Sequence, residues 1–172
     1  LTGCVKRMVQ KIIDGKSLER LEQFLKTPGK RILLYHRDAD GICSTALLMK
    51  FFSDFERIAR QGPRMEKEFV KEIIERKPDL LVFLDLPVDQ EWDKIGEISE
   101  RIPGMRMVVI DHHIHERNMN SRNVVHVNPR FHQDAYLPTS CVVYRLMEKM
   151  GMDIQPFVWI AATGIIGDYD IK

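Results

Sequence analysis

MRMVVIDHHIHE, residues 105–116, decides how the rest of the chain is read. Met107-Val108-Val109-Ile110 is an apolar, β-branched run of the length of a buried strand. It stops abruptly at a carboxylate and two imidazoles, Asp111, His112 and His113. Such groups at the end of a core strand need partners, and the natural ones are a cation or a substrate.

On the N-terminal side, Leu80-Leu81-Val82-Phe83-Leu84 is a second buried strand, ending at Asp85, and the amphipathic helix 90–101 joins it to the first. Further back, Arg31-Ile32-Leu33-Leu34-Tyr35 is a strand followed by HRDADG, residues 36–41. Helical spacing resumes from Ile42 to about Phe52, with Asp40 or Ser44 as its cap. Residues 55–61, FERIARQ, read equally as a weak edge strand or a helix tail, and 65–76 as a charged amphipathic helix. Residues 5–26 form a helical segment broken near Asp14-Gly15-Lys16. On the C-terminal side, 123–127 is one more strand, and helices follow at about 139–150 and 155–166. Strands alternating with helices of about a dozen residues make an α/β fold: an open, mostly parallel sheet with helices on both faces. The expected organisation is a helical segment at 1–28 and one domain at 29–172.

Composition narrows the class. Of 172 residues, 44% are hydrophobic and 30% charged, as in ordinary globular proteins, and a net charge of +1 gives no global pull toward nucleic acid or membrane. No apolar run approaches the length of a membrane span. Cys4, Cys43 and Cys141 are odd in number and lack a CxxC pair, which reads as reduced thiols in a cytoplasmic protein.

Three predicted strands thus end in acid or histidine: His36, Asp38 and Asp40 after the first, Asp85 after the second, and Asp111 to His113 after the third. Ligands of open α/β sheets bind beyond the carboxyl ends of the strands. In an extended segment, residues 36, 38 and 40 point the same way, and Asp168 at the end of the last helix closes the set. Each element has a bland reading. Asp38, Asp40 and Gly41 serve as turn formers and a helix cap, Asp85 merely ends a strand, and Asp168 and Asp170 are solvated charges. His115, His126 and His132 read as loop, strand and loop residues without a role. The joint placement outweighs these readings. Carboxylates mixed with imidazoles suit a borderline divalent ion such as manganese, with magnesium less favoured. The donors are too many for one ion, and two ions about 3.5–4 Å apart with a shared carboxylate suit in-line attack on phosphorus.

The residues resemble the DHH phosphoesterase family. Its four motifs stand in order: His36-Arg37-Asp38-Ala39-Asp40-Gly41, Asp85, Asp111-His112-His113, and Gly164-Ile165-Ile166-Gly167-Asp168. The resemblance runs from about residue 31 to the end. The HRDADGI form and the HVNP segment at 126–129 are most similar to the archaeal RecJ-like branch. It implies that His36 and Asp38 hold one ion, that Asp85 bridges, and that Asp40, His112 and Asp168 hold the second. His113 then faces the phosphate and Asp111 orients a ligand imidazole. The second, substrate-gripping domain of the family falls outside this chain. The implied function is a two-metal phosphodiesterase or exonuclease acting on single-stranded nucleic acid ends or short oligonucleotides. Separately, Arg37, Arg130 and Arg145 are candidate phosphate contacts, against the bland reading of solvated surface arginines. The alternatives are a phosphatase or phosphodiesterase of a cyclic dinucleotide, phosphoadenosine phosphate or pyrophosphate, and a non-catalytic scaffold among replication or repair partners.

Overall fold

Five strands pair in parallel in the computed structural model, which describes residues 12–132 and 136–168. The helical reading of 5–11, Cys4 and Asp170 lie outside the described residues. The strands are β1 (Arg31–His36), β2 (Glu56–Arg60), β3 (Leu80–Leu84), β4 (Arg106–Ile110) and β5 (Val124–Val127), in the spatial order β2-β1-β3-β4-β5. Their register is continuous: Arg57, Leu33, Val82, Val108 and Val125 stand side by side across the sheet. The helices among the described residues are α1 (Gly15–Leu25), α2 (Ala39–Met49), α3 (Lys67–Arg76), α4 (Trp92–Arg101), α5 (Thr139–Lys149) and α6 (Val158–Gly167).

The period-two alternation of strand side chains sorts the core into two layers. Leu80, Val82 and Leu84 of β3 face one layer, built on Leu21 and Leu25 of α1, Leu47 and Leu48 of α2, Val142 and Val143 of α5, and Ile160 of α6. Leu81 and Phe83 face the other, with Val70 and Ile73 of α3 and Ile95 and Ile98 of α4. All five residues of β3 are buried, as expected of a central parallel strand covered on both faces. The expected open parallel sheet with helices on both sides is the observed one.

Three local readings change. Residues 56–60 are a strand, and its weak apolar pattern follows from its place: β2 pairs only with β1, so most of its side chains stay in solvent. Helix α2 starts at Ala39, three residues before Ile42, and its cap is Asp38, whose carboxylate accepts the Gly41 amide at 2.9 Å. Neither Asp40 nor Ser44 caps it. Ala39, Asp40 and Gly41 carry no apolar periodicity, so a pattern of hydrophobic residues does not show where the helix starts. Residues 88–91 form a 3-10 turn ahead of α4.

The strand order has a functional consequence. The chain leaves β1 toward β2 on one side and returns to β3 on the other, so the connections diverge between β1 and β3 and open a crevice at their carboxyl ends. Gly41 belongs to this place. A Cβ there would lie 2.2 Å from the His36 carbonyl oxygen, so only glycine lets α2 start this close to the end of β1. No helix among the described residues is long and apolar enough to cross a membrane.

Candidate metal centre

β1 delivers His36 to the crevice, and the turn into α2 brings Asp38 back against it. The extended alternation expected for 36, 38 and 40 is absent, because the helix has begun by Ala39. The three side chains converge through a strand end and a first helical turn instead. His36 Nε2 lies 3.0 Å from the Gln61 carbonyl, an obligate acceptor, which assigns the proton to Nε2 and the lone pair to Nδ1. That Nδ1 is buried and makes no hydrogen bond, yet lies 2.6 Å from Asp38 Oδ2 and 3.6 Å from Asp85 Oδ2. In the neutral ring that lone pair faces two carboxylate oxygens, a repulsion that a cation shared by these atoms relieves. Burial works to raise the Asp38 carboxyl, but hydrogen bonding led by the Gly41 amide holds it below its usual value.

Asp85, at the end of β3, is 2% exposed and takes a left-handed backbone, φ 59°, which aspartate tolerates better than most residues. Its two oxygens serve opposite sides. Oδ2 faces His36, while Oδ1 lies 3.3 Å from His112 Nε2 and 3.9 Å from His113 Nδ1 and accepts the Thr139 hydroxyl at 3.2 Å. Burial, reinforced by the charges of Asp40 and Asp38, pushes this carboxyl up to about 6.

β4 contributes the tripeptide. His112 is 3% exposed, and its Nε2 faces Asp85 Oδ1, Asp168 Oδ2 and Asp40 Oδ2 at 3.3, 3.7 and 4.0 Å. Asp111 is fully buried and grips His113 twice, at the ring Nδ1 (2.7 Å) and at the backbone amide (3.1 Å). The imidazole that Asp111 orients is therefore that of His113. Burial works to lower the His113 pKa, but the Asp111 bond, with the charges of Asp111, Asp85 and Asp168, raises it to about 9. At neutral pH His113 carries a proton.

Asp40 and Asp168 complete the ring. Asp40, 1% exposed, accepts the amides of Thr139 and Ser140 at 2.6 and 2.8 Å and so caps α5 across the molecule. Burial raises its carboxyl. Asp168 follows α6 and accepts the Tyr136 hydroxyl, and the Tyr136 ring stands edge-on to His112 at 5.0 Å. Donor atoms within 4.8 Å of one another form three sets: His36, Asp38 and Asp85; Asp85, His112 and His113; Asp40, His112 and Asp168. The six residues expected to hold metal thus stand together, with His113 and Asp111 beside them. The orphaned His36 Nδ1 and the three carboxylates around His112 Nε2 fit divalent cations.

Sequence reasoning missed the supports. Thr139 and Ser140 are fully buried and carry no motif; only their place at a helix start hints at them. Asn128, also fully buried, donates to the His113 carbonyl at 3.0 Å, and Arg130 Nε donates to the His112 carbonyl at 2.9 Å. The HVNP segment and the arginine after it therefore anchor the backbone of the tripeptide. Of the arginines expected to meet phosphate, Arg130 is thus beside the site and Arg37 is exposed next to His36. Arg145 lies about 9 Å further along α5 than Thr139 and pairs with Glu148 at 2.8 Å.

Fold and donor set define an open α/β domain built around a carboxylate–imidazole cluster at its topological switch point. The chain belongs to the DHH family, whose N-terminal domain matches residues 31–165. In fold it is similar to the exonuclease RecJ in a crystal structure with manganese bound, with a TM-score of 0.69 and 22% identity over 89% of this chain and 42% of that one. It is similar also to RecJ from Thermus thermophilus in complex with Mn2+ (TM-score 0.63, 22% identity, 89% of this chain, 24% of that one). CDC45 from Entamoeba histolytica shares the fold as well (TM-score 0.64, 18% identity, 92% of this chain, 34% of that one). The chain therefore spans less than half the length of each of these proteins. No curated protein matches it in sequence.

Proposed function

We propose that the chain is the catalytic domain of a RecJ-like, metal-dependent phosphodiesterase. Its substrates are single-stranded nucleic acid ends or short oligonucleotides, and its cofactors are two divalent cations, manganese by preference. One observation carries the reading: the two oxygens of the buried Asp85 face two separate donor groups, His36 with Asp38 and His112 with Asp40 and Asp168. That is the arrangement a bridging carboxylate requires. Divalent cations at such a site supply activation of water and neutralisation of charge on the phosphoryl oxygens.

The residues of the chain do the rest. His36, held through Gln61, turns its Nδ1 toward the centre. Thr139 and the α5 amides fix Asp85 and Asp40 so that neither swings away. His113, protonated and locked by Asp111, faces the same carboxylate and is placed to neutralise a phosphate or give a proton to the leaving oxygen. The HRDADGI and HVNP segments support the RecJ-like branch. Cys43 and Cys141, both thiols, accord with a cytoplasmic setting. A scaffold among replication partners is the second reading, favoured by the likeness in fold to CDC45; the filled ligand positions weigh against it.

The test is manganese-dependent hydrolysis of bis-p-nitrophenyl phosphate and of a labelled oligonucleotide, with a cyclic dinucleotide, phosphoadenosine phosphate and pyrophosphate as competitors. Asp85→Asn and Asp111→Ala are expected to abolish turnover. Activity surviving Asp85→Asn sinks the bridging role, and faster turnover of a small competitor reassigns the substrate.

A further inference from the structure

The whole chain carries a net charge of only +1, yet residues 57–64, RIARQGPR, hold three arginines and no acid. This run leaves β2, the edge strand next to β1, and passes over the rim of the crevice. Ala59, Arg60, Gln61, Gly62, Arg64 and Glu66 line a depression of about 430 Å3. Gln61 and Gly62 also line a smaller depression of about 180 Å3, together with His36, Asp85 and His113. The two share a rim, and the smaller one opens on the metal centre. The rim is anchored there, since the Gln61 carbonyl is the group that holds His36.

The larger depression has a rigid wall. Arg60 donates to the Arg64 carbonyl at 2.6 Å and to Glu66 at 3.0 Å, and its guanidinium lies 4.1 Å from the centre of the Phe69 ring. Glu66, the one acid of the lining, is engaged by that contact. Arg64, the other arginine of the lining, is exposed, and the Arg37 amide donates to the Arg60 carbonyl at 2.9 Å. Guanidinium groups match phosphate oxygens in pairs, which a lysine cannot do.

We propose that this arginine-lined depression seats the phosphates of a single-stranded nucleic acid beyond the one being cleaved. The reacting phosphate sits in the His36–Asp85–His113 pocket, and the strand crosses Gln61 and Gly62 to lie along Arg60 and Arg64. This inference rests on the phosphodiesterase reading above and gives that reading a polymer path. A near-neutral chain then concentrates its positive charge where the strand runs.

Arg64→Glu and Arg64→Lys test it, since Arg64 lies outside the metal centre and is exposed. KM is measured for a dinucleotide and a twelve-nucleotide strand at 50 and 200 mM salt, with turnover of bis-p-nitrophenyl phosphate as the reference. The unaltered protein is expected to favour the longer strand. Arg64→Glu raises the KM of the longer strand about tenfold and flattens its salt dependence by about one unit of log–log slope, and Arg64→Lys falls between. Turnover of bis-p-nitrophenyl phosphate and the dinucleotide KM stay unchanged. A twelve-nucleotide KM and salt slope untouched by Arg64→Glu overturn the inference while leaving the phosphodiesterase standing. So does a protein that cleaves bis-p-nitrophenyl phosphate without favouring the longer strand. No turnover of any phosphodiester strikes the underlying reading, and the inference with it.

Discussion

Asp40→Ala separates the two duties of one carboxylate. Asp40 is a candidate metal ligand, and it also accepts the amides of Thr139 and Ser140, both fully buried. Replacing it with alanine removes the cap of α5 and leaves two buried amides without an acceptor. A lost cap costs about 1 kcal/mol, and an unsatisfied buried amide about 1–3 kcal/mol. Asp40 is itself disfavoured by burial, which offsets part of that loss and leaves a net of roughly 2–4 kcal/mol. For a chain of this size each kcal/mol lowers the melting temperature by about 2–4 °C, so a drop of roughly 5–15 °C is expected. The assay is thermal unfolding in EDTA, where metal binding contributes nothing. Asp38→Ala is the comparison: that carboxylate caps α2 through one amide at a more exposed position, so its loss costs about 1 kcal/mol and roughly 2–4 °C. An Asp40→Ala protein that melts within about 2 °C of the unaltered one in EDTA refutes the structural duty and leaves Asp40 as a ligand alone.

The other predictions concern the supports of the site. Thr139→Val removes the hydroxyl 3.2 Å from Asp85 and is expected to weaken manganese binding about tenfold by calorimetry, with Thr139→Ser restoring it; equal affinity in all three proteins refutes the role. Gly41→Ala forces a Cβ against the His36 carbonyl, so stability falls by about 1–3 kcal/mol, and an unmoved urea midpoint counts against the close approach. The His113 ring is expected to titrate near 9 by NMR in EDTA, and to fall toward its ordinary value in Asp111→Asn. Because its pKa is raised on folding, protonated His113 stabilises the fold fully below about 6.5, and this contribution is lost as pH rises through about 9. An ordinary titration in the unaltered protein dismisses the Asp111 grip.

The sheet was legible in the sequence because its central strands are buried on both faces. Residues 80–84 and 107–110 are unbroken apolar runs. The edge strand was ambiguous for the opposite reason: pairing on one side leaves ERIAR half in water. The ligand candidates were legible because the sheet puts strand ends together, and a carboxylate or imidazole at each end is visible as a coincidence. The supports were not. Thr139, Ser140, Asn128 and Gln61 act through a hydroxyl, backbone amides, a side-chain amide and a carbonyl, and only tertiary contact reveals what such groups meet. The path from β1 into α2 was hidden for a related reason, since strand alternation does not continue past a residue that caps a helix.

The bond between Asp40 and the start of α5 spans 99 residues, which gives the site a date of birth. At about 5–20 residues per second of synthesis, Asp40 waits roughly 5 to 20 seconds for its amides. Until then the Asp40 carboxylate lacks the amides that fix it, although Asp38 already caps α2 and His112 has been made. The candidate metal centre thus takes its final form only once the chain has been made through Thr139 and on to Asp168.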